Sequence, residues 1–162
     1  MLMRHLSQIF IIIVLVLSTL ITRSYAGNLE KGFERLKIYD YFKAKYCFEK
    51  CLKKQTAGAA YGLSLIYAIN NNPFYNLDSA RFYILLADSA YKATSLKSLK
   101  VYEDLAITYA GIQQQKDTIC QRALIQASTF NTIEKYTEYL NNFSFCTQAI
   151  KAVELLNSVA FE

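Results

Sequence analysis

Residues that end helices and turn chains are scarce here: one proline and five glycines in 162 positions. An all-β domain needs a turn signal about every 8–12 residues, so that architecture is excluded and helices remain. Four cysteines are too few for a miniprotein held together by disulfides. Charged residues make up only 19% of the chain against 53% hydrophobic, which excludes a disordered chain. There is no tryptophan, and the single histidine, His5, stands beside the amino terminus.

That terminus has the layout of a secretory signal. Arg4 and His5 form a short basic region, and Ile9 to Ile21 is an apolar run broken only by Ser18 and Thr19. Ser24-Tyr25-Ala26 follows with the small-x-small pattern of a cleavage site, so cleavage is expected after Ala26. The apolar run is 13 residues long, short of the ~20 that span a bilayer as a helix. The expected division is therefore a signal peptide over 1–26 and an exported domain over 27–162. Removing Arg4 and Arg23 takes the formal charge from +5 to +3. That charge is spread among interleaved acids, which is no nucleic-acid footprint. The exported part also loses the only histidine and both methionines. Without imidazole there is no His–Ser or His–Cys nucleophile pair and no histidine metal site.

Beyond Gly27, apolar residues recur at spacings of three and four. Leu29, Phe33 and Leu36 form one helical face, and Tyr41, Ala44, Phe48, Cys51 and Leu52 form the next. The pattern predicts further helices over 57–69, 78–92, 97–110, 116–128 and 131–142, with a last one capped by Thr147. Asn70-Asn71-Asn72-Pro73 separates the second pair, and Asp78-Ser79 is placed to cap the helix after it. The fold class is all-α, with about eight helices in antiparallel pairs near 28–54, 57–92, 97–128 and 131–162.

The pairs carry an internal repeat. Gly32, Ala44, Phe48 and Cys51 stand 12, 4 and 3 residues apart; Gly62, Ala80, Ile84 and Ala87 stand 18, 4 and 3 apart. Tyr41 precedes the first alanine by three positions, and Tyr102, Leu105, Ala106 and Tyr109 form an aromatic–leucine–small–tyrosine series. In these positions, from about Asn28 to Ser128, the chain resembles the tetratricopeptide-repeat family. Lys31 and Arg35 stand where that family carries Leu and Tyr, and the proline between repeats is missing. Repeat starts lie 30 and 44 residues apart, against the family's 34 or so. A signal followed by irregular repeats resembles exported repeat proteins of Gram-negative bacteria. The resemblance implies an irregular solenoid whose concave face binds a protein or peptide and carries no cofactor. Matched positions put Phe33, Leu36, Lys37, Leu63, Ile66 and Tyr67 on that face.

A second echo shifts Ile119, Ala123 and Leu124 by 37 residues onto Leu156, Ala160 and Phe161. A solenoid needs a polar terminal cap, and Val159-Ala160-Phe161 is not one. The expectation is either a longer exported protein, with an anchoring or catalytic domain beyond Glu162, or an end that docks on a partner.

Chemically active groups have ordinary explanations at hand. Cys47 and Cys51 lie on one helix at packing positions, without the third and fourth ligands that a metal needs. If a disulfide forms, Cys120–Cys146 is the better candidate, since those residues lie on different helices and export permits it. Glu30, Glu34, Asp40, Glu49, Glu103, Asp104, Glu134 and Glu138 could supply a carboxylate pair for hydrolysis of envelope polymers. Each sits on a lysine-bearing polar face, where solvated charge is the default. Asp78-Ser79-Ala80, Asp88-Ser89-Ala90 and Asp117-Thr118-Ile119 resemble a short O-glycosylation motif, and the first serves equally as a cap. Twelve tyrosines and nine phenylalanines after residue 26 suit both a core and a recognition surface.

Overall fold

The computed structural model describes residues 27–161. The segment expected to be a signal peptide, 1–26, lies outside the described residues. Eight helices and no strand occur among the described residues. The first, α1, is described over 27–37. It is followed by α2 (Tyr41–Cys51), α3 (Thr56–Ala68), α4 (Leu77–Lys92), α5 (Leu96–Asp104), α6 (Tyr109–Phe130), α7 (Ile133–Phe143) and α8 (Ala149–Ala160). No helix of the described residues is long and apolar enough to cross a membrane.

The apolar spacing decides which faces meet. In α2, Tyr41, Ala44, Phe48 and Cys51 fall on one stripe and are buried, and Asp40 caps the helix by accepting from the Lys43 amide. Helix α3 is different: nine of its residues are buried, most of them Ala, Gly or Ser. Small side chains let both α2 and α4 pack closely on it. The closest approach is at Phe48. Its ring lies against both Gly32 of α1 and Gly62 of α3, where an added Cβ would come within 2.5 Å of the ring at Gly32 and closer still at Gly62. Phe33 meets the same ring edge-on at 4.9 Å.

Two buried clusters result. One gathers Leu29, Phe48, Leu63, Tyr102 and Ile107; the other gathers Ile84, Ile112, Ile119 and Tyr136. Leu52, Tyr61, Tyr67, Tyr83 and Tyr91 pack partly buried against both. Helix α6 packs on α4 and α7, and α7 packs on α8. The outer side of α8 leaves Ile150, Val153 and the following Phe161 exposed.

The expected pair over 97–128 forms differently. A helix predicted to run to Ala110 stops at Asp104, and the next begins at Tyr109 instead of Lys116. Ala106 takes the left-handed conformation (φ 56°), with its amide donating to Glu103 O and the Ile107 amide to Tyr102 O. These are the two bonds of a Schellman stop, usually built on glycine. The stop turns Ile107 inward beside Tyr102, so α5 closes the first cluster and α6 packs elsewhere. Tyr39 (φ 60°) makes the same two-bond stop after α1.

Two caps also differ from expectation. Asn76, not Asp78-Ser79, starts α4, its Oδ1 accepting from the Ser79 amide at 2.7 Å. Gln148, not Thr147, precedes α8, and the Thr147 hydroxyl donates to the Gln148 side chain. The Asn70–Pro73 break is secured by Asn72, which donates to Ile66 O and Ile69 O and accepts from the Phe74 amide.

Asp88 ties α4 to α6. Its carboxylate lies 3.1 Å from Lys92 Nζ, 3.7 Å from Lys116 Nζ and 3.0 Å from Gln113 Nε2. Burial alone would raise its pKa; the Lys92 bond and charge, the Lys116 charge and the Gln113 bond outweigh that and hold it low. A carboxyl lowered by folding stabilises the native state above the unfolded value of about 4, and loses that effect as pH falls through the folded value. Wild type should therefore unfold at a higher temperature than Asp88→Asn at pH 6–7. The gap should close below about pH 4; a gap independent of pH in parallel thermal melts would refute the assignment.

Candidate functional site

The six residues expected on one concave face do not share one. Leu63 and Ile66 are 0% exposed, packed inside the first cluster between α3 and its neighbours. They belong to the core, which corrects the expectation for both. Phe33 and Leu36 are half-buried against the first cluster, and Lys37 is exposed. Tyr67 is half-buried and stacks on Tyr83 of α4, with centroids 5.5 Å apart and planes 8° from parallel.

Tyr67 leads to a surface the sequence pattern did not single out. Phe42 of α2 meets Phe74 of the Asn-Pro loop edge-on at 4.8 Å. Lys45 Nζ lies 5.5 Å from the Phe74 centroid. Its pKa is raised first by its bond to Glu49, with smaller contributions from the Tyr67 and Tyr83 hydroxyls. Tyr83 in turn meets Phe82 at 5.1 Å. The result is an aromatic tract in two parts, Phe42–Phe74 and Tyr67–Tyr83–Phe82, related through the Lys45–Glu49 pair. Its ends are open: Phe42 is 68% exposed and Phe82 61%. The only signal available in the sequence was position. Phe42 falls off the Tyr41/Ala44/Phe48 stripe, and Phe82 off the Ala80/Ile84/Ala87 stripe.

A second feature is a cleft of about 320 Å³ between the first turn of α4, the second half of α6, and α7. Its floor includes Tyr139, stacked on Phe143 at 5.3 Å. Tyr139 is buried and its hydroxyl has no hydrogen-bond partner; burial pushes its pKa up to about 12. Asp78 and Glu138 line the cleft, within 3.9 Å of Arg81 and 2.7 Å of Lys135 respectively.

The cysteines divide. Cys120 of α6 is bonded to Cys146 in the turn before α8, with Cα atoms 5.9 Å apart. Cys47 and Cys51 are free, and the fully buried Cys51 has its thiol pushed up to about 11 by desolvation, far from a reactive thiolate. No group of three or more potential ligands is placed to hold a metal among the described residues. Of the carboxylates, Asp40 pairs with Arg35 and Lys43, Glu49 with Lys45, and Glu138 with Lys135. Glu30, Glu34, Glu103, Asp104 and Glu134 are exposed.

No protein-family model, no curated protein and no solved structure matches the chain.

Proposed function

We propose that the protein is an exported, tetratricopeptide-like helical-repeat scaffold of the cell envelope that binds a protein or peptide segment and does no chemistry. The observation that carries the binding role is the aromatic tract through Phe42, Phe74, Tyr67, Tyr83 and Phe82. Rigid rings give large contact area at low entropic cost, and those that remain exposed on a folded surface serve as anchors. Lys45 and Glu49 neutralise each other within the tract, so the surface selects apolar and aromatic side chains and no net charge. The repeat reading rests on the spacing of Gly32, Ala44, Phe48 and Cys51 and its echo from Gly62, and export rests on the signal-like segment 1–26. The near-neutral charge of the exported part and its lack of histidine favour a protein partner over nucleic acid, and binding over catalysis.

A displayed library of linear peptides tests the tract directly. Wild type should enrich peptides rich in aromatic and aliphatic residues. The double variant Phe42→Ala/Phe82→Ala should weaken the best of them at least tenfold, with helicity and melting temperature unchanged because both rings are exposed. Phe161→Ala serves as the control, being exposed away from the tract. Equal affinity in the double variant and wild type would refute this surface.

A further inference from the structure

The cleft between α4, α6 and α7 is independent of the aromatic tract, and its lining selects a different chemistry. Its volume of about 320 Å³ falls within the range of small-molecule sites, which begins near 300 Å³. We propose that it binds a neutral saccharide.

The charges argue for neutrality. Two carboxylates and one lysine, Lys135, line the cleft, and the excess of negative charge disfavours an anion. Each is already opposed by a cation of the protein, Asp78 by Arg81 and Glu138 by Lys135, which disfavours an incoming amine. Such compensated carboxylates still accept hydrogen bonds from hydroxyl groups. Amides supply the complementary donors: Asn76, Gln126 and Asn142 all line the same space.

The apolar part supplies aromatic rings. Phe130, 59% exposed at the end of α6 and with Lys135 Nζ 5.7 Å from its centroid, Tyr75 and the stacked Tyr139–Phe143 pair all line the cleft. Flat aromatic faces pack against the C–H faces of a pyranose, while its hydroxyls radiate toward the polar rim.

An unpartnered group points the same way. Tyr139 lines the cleft, and its buried hydroxyl has no hydrogen-bond partner. A buried phenol without a partner is costly. A ligand oxygen accepting from Tyr139 removes that cost only in the complex.

Saturation-transfer NMR of the intact protein with maltotriose, cellotriose and chitotriose provides the test. At least one trisaccharide should receive saturation. Phe130→Ala should weaken that binding tenfold or more, and Leu96→Ala, on α5, should leave it unchanged. Tyr139→Phe separates a ligand role from a structural one. It should weaken sugar binding while raising the melting temperature of the free protein by a few degrees, since it deletes an orphaned hydroxyl without changing shape. Absence of saturation for all three sugars overturns the proposal. So does sugar binding that is indifferent to Phe130→Ala. Binding of n-butylammonium or acetate in place of sugar, if sensitive to Phe130→Ala, assigns the cleft to a charged ligand and equally overturns it.

Discussion

Phe48→Ala is expected to lower the free energy of unfolding by about 3–5 kcal/mol, the usual cost of emptying a fully buried aromatic site. The ring is 0% exposed and lies against α1 at Gly32 and α3 at Gly62. Truncating it therefore empties space shared by three helices, and backbone collapse from one side cannot fill it. The reverse change is also informative. Gly62→Ala adds a methyl group into the ring and should cost about 1–3 kcal/mol, partly offset by the ~1 kcal/mol helix preference of alanine over glycine. In a double-mutant cycle the two changes should be far from additive, because the alanine methyl occupies part of the space that Phe48→Ala vacates. Urea titrations of the four proteins measure this. Additive losses would show that Phe48 and Gly62 do not oppose each other.

Removing the Cys120–Cys146 bond is expected to cost about 3.5 kcal/mol. The bond closes a segment with a sequence separation of 26, and the chain-entropy model gives about that value for loops of this size. It fastens α6 to the turn before α8 across the whole of α7. The loss should thus fall on the α6–α8 end, while α1–α3 keep their packing. Cys120→Ala/Cys146→Ala, compared with wild type in thermal melts with and without reductant, should reproduce the reduced form. Superimposable melts for oxidised wild type and the double variant would contradict the bond's stabilising role. Cys47→Ala leaves the disulfide untouched and is the appropriate control.

The helical class was legible in the sequence because apolar periodicity is a local property. Tyr41, Ala44, Phe48 and Cys51 mark their buried stripe whatever packs on it. The gaps flanking Gly32 and Gly62 flagged small positions, and both prove to lie against Phe48. The boundary after Asp104 was hidden for a physical reason. Left-handed helix stops are read from glycine or asparagine, and here alanine fills the position. The assumed groove failed at Leu63 and Ile66 because periodicity shows that a face is apolar, not which neighbour covers it. In α3 nearly every face is apolar, so no stripe distinguishes core from surface. The aromatic tract was invisible for the opposite reason: its members come from α2, a loop, α3 and α4, and only tertiary packing gathers them.

The layer shared by the two clusters has an optical consequence. Four tyrosines, Tyr61, Tyr67, Tyr83 and Tyr91, stand in it, and the chain has no tryptophan to mask them. Two stacked pairs, Tyr67–Tyr83 and Tyr91–Tyr102, each place a ring there. The stacked phenol pairs that contribute to the near-ultraviolet signal thus include two at the boundary between the two halves. A loss of that dichroism ahead of helicity would record the halves parting while each remains folded, making the seam a built-in gauge of how rigidly they move together.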